Sequence, residues 1–402
     1  MKSTWEIARA NKHVLNLRVG EVVEVRSRAE ILATLDANGL REGLPFMPEM
    51  LQFCGRRFRV YKRADKACDT IGKTGARRMK DTVHLEDARC DGVAHGGCQA
   101  ACLMFWKKAW LKPVENPSDS ASSVNEAESF AAINATQSQG ETNSCTEDTL
   151  LKATRRESDA TSGNEEMFSC QATELPKATS FLAWWDIRQY LRDLRSGNIT
   201  LLQLIRGASI AAYNMTIRNV HRGALAIRTL MRRLRNIHSV AHNTSYSMAI
   251  IPSQGTSSNG QAIYGKLRAI YEKLFVEYPH VQGKLRKTPS EILNLQPGEL
   301  VHVKSKQEIL ATLDANNRNR GLYFDVEMVP YCGGTYRVLR RVEKIVDEKT
   351  GRMIKLPNGC IILDGVVCSG CLSRNRLFCP RSIYPYWHEI WLKRVERPDA
   401  IE

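Results

Sequence analysis

Residues 30–38 read EILATLDAN, and residues 308–316 repeat the same nine residues. An identical nonapeptide 278 positions further along is not a product of composition, so it indicates an internal duplication and decides how the fold is interpreted. The preceding segments agree, since LRVGEVVEVRS begins at Leu17 and LQPGELVHVKS begins at Leu295. The sequence therefore predicts two copies of one structural unit.

The two copies stay in register over about 100 residues each, which is an ordinary size for one compact domain. A three-residue insertion in the second copy changes the spacing from 278 to 281. Matched pairs include Phe46/Phe324, Glu49/Glu327, Cys54/Cys332, Cys90/Cys368, Cys98/Cys379, Trp106/Trp387 and Trp110/Trp391. We predict domains at residues 14–117 and 288–398. Copies this far apart form separate domains rather than a stacked solenoid.

Composition places the chain among soluble globular proteins, with 43% hydrophobic and 25% charged residues. The first residues lack the apolar core of a secretory leader, and no run of 18 apolar residues is present. The 12 cysteines are then expected to be reduced thiols or metal ligands rather than a disulfide framework. We expect a cytoplasmic protein that also makes peripheral contact with the membrane.

The segment between the first copy and the next apolar region is acidic and polar. Residues 115–180 contain 12 acidic and 4 basic residues, although the whole chain carries a net charge of +15. Such a composition offers little apolar surface to offset the entropy lost on ordering. We predict a disordered Ser/Thr-rich linker over residues 118–179.

Residues 180–277 show apolar residues at helical spacing and are predicted to form a helical region with a basic amphipathic helix. Three interpretations of the basic helix remain open. In the first, its cations face solvent. In the second, residues 199–235 contact an anionic membrane surface. The third is contact with nucleic acid, for which no RNA-binding motif is visible.

Within each copy the local patterns favour short strands. Val23 and Val25 alternate with Glu24 and Arg26, and RFRVYKRA alternates again. RSRAEILATLD, with Ser27 as N-cap, predicts a short helix. We expect an α+β chain. About five short strands beginning with a Gly-Glu-hydrophobic motif resemble SH3-like β-barrels of the KOW and translation-protein type, which implies two such barrels joined by the linker and the helical region.

The repeat also resembles a family of uncharacterised bacterial proteins, some of them encoded near polysaccharide-biosynthesis genes. That resemblance implies a biological setting rather than an activity.

The cysteines are the most specific chemical feature. Four thiolates suit tetrahedral zinc, and each copy contains four cysteines beside its core thiol. The predicted zinc ligands are Cys68, Cys90, Cys98 and Cys102 in the first copy and Cys360, Cys368, Cys371 and Cys379 in the second. His95 is a substitute for one ligand of the first quartet. Only Cys90/Cys368 and Cys98/Cys379 are matched between the quartets.

Other interpretations of these cysteines remain open. Free cysteines are among the residues most often buried, so the eight can serve as small apolar core residues. Redox chemistry through the CxxC pair Cys368 and Cys371 is less consistent with the sequence, because a thioredoxin-type motif opens a helix in a βαβ unit.

Catalytic signatures are absent from the sequence: it contains no Walker A loop, GxGxxG, HExxH or GxSxG motif. Glu49/Glu327 and Arg63/Arg341 are charged positions matched between the copies, used either for a structural ion pair or capped turn, or for a ligand pocket. We predict no catalytic residues and a non-enzymatic binding or scaffold protein, whose partner is a protein or an anionic polymer. The alternative is a metal- or thiol-dependent enzyme with its site between the copies.

Overall fold

The repeated nonapeptide forms the same local structure in both copies. In the computed structural model, which describes residues 16–114, 145–156, 166–212, 283–372 and 376–395, it lies in α1 (Arg28–Leu32) and the turn after it. Ser27 caps this helix and Glu30 reaches back to the backbone N–H of Ser27, which completes a capping box. Ser305 and Glu308 do the same for the second copy's helix, Lys306–Leu310.

The rest of the nonapeptide ties that helix to the core. The hydroxyl of Thr34 accepts a hydrogen bond from the indole N–H of Trp110 at 3.1 Å, and Thr312 accepts one from Trp391 at 3.0 Å. Asp36 accepts two backbone N–H bonds within the following turn, as an Asx-turn residue does. The nonapeptide is therefore a structural element rather than a catalytic motif.

The first copy is an antiparallel sheet with short connecting elements. Its strands are β1 (Val22–Val25), β2 (Leu40–Arg41), β3 (Leu44–Pro45), β4 (Arg57–Arg63), β5 (Lys66–Cys68), β6 (Ala76–Arg78), β7 (Thr82–Leu85), β8 (Trp106–Lys107) and β9 (Leu111–Pro113). The main sheet has the order β8-β7-β4-β1-β9, and 3-10 helices occupy Pro48–Phe53 and Lys108–Trp110.

Between the copies, the described elements are α2 (Glu147–Ala153), β10 (Arg155–Arg156), β11 (Met167–Phe168), α3 (Leu175–Ala178), β12 (Ser180–Leu182) and α4 (Ile187–Ser196). The second copy contains β13 (Leu300–Val303), α5 (Lys306–Leu310), β14 (Arg318–Asn319), β15 (Leu322–Tyr323), β16 (Thr335–Val346), β17 (Met353–Leu363) and β18 (Leu392–Arg394). Its sheet order is β17-β16-β13-β18, with 3-10 helices at Val326–Tyr331 and Glu389–Trp391.

Equivalent aromatic side chains pack the two cores. Phe46 meets Trp110 edge-on with ring centroids 5.1 Å apart, and Phe324 meets Trp391 in the same way at 5.3 Å. The four tryptophans that the duplication matches, Trp106, Trp110, Trp387 and Trp391, are fully buried. Burial of such large apolar side chains supplies much of the stabilisation of a small domain.

The structure confirms an α+β chain with small antiparallel sheets. Each main sheet is open in the described residues, because its strand order has two ends, so the predicted barrels are not confirmed. The first strand of each copy does pair with the last, through Val25 and Leu111 in one copy and Val303 and Leu392 in the other.

Two parts of the predicted linker form helices and strands in the structure. Residues 145–156 contain α2 and β10, and residues 166–179 contain β11 and α3. Cys145, Leu150 and Leu175 lie in the core of the first copy. A few apolar anchors are enough to order a polar segment when a preformed core receives them. Residues 118–144 and 157–165 of the predicted linker lie outside the described residues.

The predicted helical region begins with a strand, since β12 pairs with β6. Helix α4 follows and ends at Gly197, whose φ of 81° provides the left-handed C-cap. Asp193 of this helix forms a buried ion pair with Lys66 at 2.5 Å, which fixes α4 to the first copy. Residues 201–212 are also helical. The predicted basic helix, near residues 222–235, lies outside the described residues.

The two copies contact each other directly. The backbone N–H of Gln99 bonds to the carbonyl of Lys344 at 3.0 Å, and the side-chain oxygen of Gln99 accepts the N–H of Glu343 at 2.6 Å. The guanidinium of Arg89 lies 4.1 Å from the ring centroid of Tyr384. The loop over residues 90–102 of the first copy therefore packs against the end of β16.

Candidate metal centre at the junction of the two copies

The structure does not assemble the eight predicted cysteine ligands into two quartets. Among the described residues, one group of three or more His, Cys, Asp or Glu side chains has its ligand atoms within 4.8 Å of one another, and it consists of Glu49, Cys90 and His95. Of the eight cysteines only Cys90 belongs to it. Neither quartet forms one group of ligand atoms in the described residues, and the two zinc sites stay a prediction.

The remaining predicted ligands lie at several places around the junction of the copies. Cys68 lies beside Cys379, so that one member of the first predicted quartet contacts one member of the second. Cys98 and Cys102 follow His95 in the same loop, and Cys360 is buried in an apolar cluster with Val342 and Ile362. Cys368 and Cys371 lie in the loop of the second copy that Glu327 holds.

His95 is the centre of the group in the first copy. Its Nδ1 lies 2.7 Å from Oε1 of Glu49, and its Nε2 lies 3.7 Å from Sγ of Cys90. The thiol of Cys98 is near enough to His95 for the imidazole to lower the pKa of Cys98. His95 is only 2% exposed, so these contacts account for a histidine that would otherwise be costly to bury.

Two elements bring the group together. Glu49 lies on the 3-10 helix Pro48–Phe53, and Cys90 and His95 lie on the loop after β7. The same Glu49 carboxylate accepts the backbone N–H of Ala94 at 3.0 Å, which fixes the loop beside the helix. Gly92 allows the loop to close, because its φ is 77° and a Cβ there would lie 2.0 Å from the carbonyl oxygen of Cys98.

Electrostatics favour an ionised site. Burial opposes protonation of His95, but its contacts with Cys90, Cys98 and Glu49 outweigh burial and raise its pKa above the ordinary range. Burial also acts to raise the pKa of Cys98, yet the nearby imidazole of His95 reverses this and lowers that pKa. For Cys90, burial dominates and the pKa is raised. An imidazole and thiols with carboxylate support form a donor set that suits a thiophilic metal.

One side of this group opens into a cavity of about 320 Å³ between the copies. The first copy contributes Cys90, His95 and Cys98 to its wall. Ile345 and Val346 of β16 and the polar side chains of Glu348 and Arg381 form the side that belongs to the second copy. The group is thus next to a space large enough for a small molecule.

The second copy keeps the carboxylate but lacks the histidine. Glu327 accepts the hydroxyl of Ser369 and the backbone N–H of Leu372, each at 2.7 Å. The position that matches His95 is Ser373, which is outside the described residues. Burial raises the pKa of Cys368 to about 12 and also raises that of Cys371. Such protonated thiols are poor nucleophiles, which disfavours redox chemistry through this CxxC pair.

Sequence reasoning missed two members of the junction. Glu49 was identified as a charged position matched to Glu327, and its contact with a loop 45 residues later has no local signal. The pairing of Cys68 with Cys379 depends on packing between copies 311 residues apart, which no spacing pattern encodes. The sequence predicts His95 as a substitute for one ligand of the first quartet, beside the close pair Cys98 and Cys102.

No family model, curated protein or solved structure matches this chain. The helices in the described part of the chain are all too short or too polar to cross a membrane.

Proposed function

We propose that the chain is a non-enzymatic binding protein made of two SH3-like modules, the first of them stabilised by zinc. The strand pairing supports the assignment of SH3-like modules. In the first copy β1 pairs with β4 and with the last strand, β9, and in the second copy β13 pairs with β16 and with the last strand, β18. In both copies a 3-10 helix immediately precedes the last strand. A strand paired at both edges in this way is what a small, strongly curled sheet requires.

One observation carries the zinc assignment: His95 is buried between a carboxylate and a thiol, with a second thiol at hand. A ligating histidine usually presents one ring nitrogen to the metal and the other to a carboxylate. Here Nδ1 faces Glu49 and Nε2 faces Cys90. We assign Cys90, Cys98 and Nε2 of His95 as ligands, with Glu49 as the carboxylate that orients the imidazole.

The buried polar atoms fit this assignment. The second oxygen of Glu49, Oε2, is buried and has no hydrogen-bond partner among the described residues. An unpaired buried oxygen of a charged group is costly, and a nearby cation relieves that cost. Glu49 can therefore also bind the metal directly through this oxygen, which would add an oxygen to the sulfur and nitrogen ligands.

The metal would act by fixing the loop on which the second copy docks. Sγ of Cys98 accepts the backbone N–H of Val346 at 3.3 Å, and Gln99 next to it binds the backbone of β16. A metal bound at residues 90–98 would stabilise both the loop and this contact, because binding energy at a structural site is folding energy.

An anionic polymer is the partner we propose first, because the chain carries a net charge of +15 and would attract polyanions at long range. A protein partner would also suit SH3-like modules. Binding to an anionic polymer should weaken steeply as salt rises. A titration with inorganic polyphosphate at increasing salt would test this part, and affinity independent of salt would favour a protein partner.

The metal part is tested by comparing two matched cysteines. Cys90→Ser should lose bound zinc, whereas Cys368→Ser, the equivalent change in the copy that has Ser373 in place of His95, should retain it. Zinc content by mass spectrometry of the purified full chain gives the answer. Equal metal content in both variants would reject the assigned site.

A second candidate function is a metal-dependent enzyme, because the same Cys90, His95 and Cys98 line the 320 Å³ cavity. A catalytic zinc keeps one position open for water or substrate. In that case a ligand variant would remain folded and lose an activity, whereas loss of the fold favours the structural role.

A further inference from the structure

Cys68 and Cys379 bring one cysteine of each copy into direct contact. Cys68 lies at the end of β5, and its backbone N–H donates to Sγ of Cys379 at 3.1 Å. Both are buried, at 3% and 6% exposure.

A buried guanidinium lies next to this pair. Arg381 bonds to the carbonyl oxygen of Cys68 and to the hydroxyl of Thr70, and it forms an ion pair with Glu348 at 2.9 Å. Burial opposes ionisation of Cys379, but the hydrogen bonds from Cys68 and from the backbone of Arg381 bring its pKa below the usual thiol range. The thiol of Cys68 has a raised pKa and stays protonated.

Metal binding does not explain this pair. In the described part of the chain, no third cysteine, histidine or carboxylate has its ligand atom within 4.8 Å of both sulfurs. Two thiols, one stabilised as thiolate and the other protonated, are instead the arrangement of an attacking and a resolving cysteine.

We propose that Cys68 and Cys379 are a redox modification site, at which a peroxide forms a disulfide that joins the two copies. The thiolate of Cys379 attacks one peroxide oxygen, the O–O bond breaks, and hydroxide leaves to become water. The sulfur of Cys68 then attacks the resulting sulfenic acid, an S–S bond forms, and the second oxygen leaves as water with the thiol proton. Two thiols and one hydrogen peroxide give one disulfide and two waters.

The cavity between the copies comes close to the pair, and residues that bond to each other beside the pair separate the two sulfurs from it. Thr70 and Arg381 are hydrogen-bonded to each other beside the two cysteines, and both line the cavity of about 320 Å³. Hydrogen peroxide is small enough to enter such a space. The disulfide would covalently hold together a junction that is otherwise maintained by hydrogen bonds and packing, so oxidation would fix the relative position of the copies.

The test is disulfide mapping of the full chain after treatment with hydrogen peroxide. The protein is alkylated, digested and analysed by mass spectrometry, before and after the addition of a reductant. We expect the peptide pair linked through Cys68 and Cys379 to exceed any other disulfide at least tenfold and to disappear on reduction. Another dominant disulfide, such as one within residues 90–102, or two thiols that both remain free, would overturn the proposal.

Single variants separate the two roles. In Cys68→Ser the sulfenic acid on Cys379 cannot be resolved, so a diketone trap should label Cys379, whereas in the wild-type chain it should not. Cys371→Ser serves as the control and should form the disulfide as the wild type does. If a Cys68 or Cys379 variant fails to fold, the wild-type map still decides the matter. Labelling of Cys98 in place of Cys379 would contradict the assignment of the attacking thiol.

Discussion

Glu49 and Glu327 hold equivalent loops in the two copies. Glu49 accepts the backbone N–H of Ala94, and Glu327 accepts that of Leu372, which is the matching residue at a spacing of 278. In each case the loop begins after the matched cysteine, Cys90 or Cys368. The carboxylate is thus a structural feature of the duplicated unit, and only the first copy adds a histidine to it.

The repeated nonapeptide yields a prediction that applies to both copies. Thr34→Val should leave the buried indole N–H of Trp110 unpaired and lower the free energy of unfolding by about 1–3 kcal/mol. Thr312→Val should do the same to the second copy through Trp391. Chemical denaturation measures both changes. Thr34→Ser keeps the hydroxyl, and a loss as large as that of the valine variant would rule out the hydrogen bond as the cause.

Residues 166–179 should stabilise the first copy although their composition is that of a linker. Gln171 is buried, accepts the N–H of Phe105, and donates to the carbonyls of Phe105 and Pro45. Gln171→Ala would leave these backbone groups unpaired and cost on the order of 2 kcal/mol. The exposed Gln307 is the control, and its change to Ala should be close to neutral. Equal effects of both changes on denaturation would contradict the ordered packing of this segment.

The buried ion pair between Lys66 and Asp193 should be sensitive to loss of one partner. Lys66 Nζ also lies 4.9 Å from the ring centroid of Tyr190. Asp193→Asn or Lys66→Met would leave a buried charge without its partner, at a cost of about 3–5 kcal/mol. The double change of Lys66 to Met and Asp193 to Leu should recover part of that loss.

The exposed ion pair between Arg57 and Glu24 is the control. Arg57→Ala should cost less than about 1 kcal/mol. Thermal and chemical unfolding of this series measures these costs. A larger loss of stability from the exposed pair than from the buried pair would contradict the assignment.

A buried neutral histidine predicts loss of stability in acid. Burial lowers the pKa of His84 from 6.5 to about 3, and its Nδ1 lies 2.9 Å from the carbonyl of Met104. Because the folded-state pKa is below the unfolded value, the stabilisation is complete above pH 6.5 and declines as pH falls towards 3. The slope for one histidine is about 1.4 kcal/mol per pH unit.

The second copy suggests the variant that tests this histidine. Ile362 occupies the matching position and is fully buried. His84→Ile should remove one histidine's share of the slope, whereas the share of His388, whose pKa burial lowers to about 4, should remain. An unchanged dependence of unfolding free energy on pH in this variant would show that His84 is already charged in the folded protein.

The duplication allowed much of the fold to be predicted, because matched residues mark the core. The tryptophan and phenylalanine pairs, the Ser27 cap and the strands around Val23 and Val25 follow from local pattern. The site was harder to predict. The sequence predicted a quartet of cysteines with His95 as a substitute ligand, but the partner Glu49 is brought there by tertiary packing, and Cys68 meets Cys379 only when the two copies dock. The ordered linker segments escaped prediction because composition averages hide single anchors such as Leu150 and Gln171.

The central claim is that one zinc is bound in the first copy by sulfur and nitrogen ligands. X-ray absorption of the full chain, purified without chelators, tests it most directly. The account predicts one zinc per chain, with Zn–S distances of about 2.3 Å and a histidine contribution at about 2.0–2.1 Å. Two zinc ions per chain, or a ligand shell made only of oxygen, would contradict it. So would protein that is purified without metal and whose unfolding does not change when zinc is added.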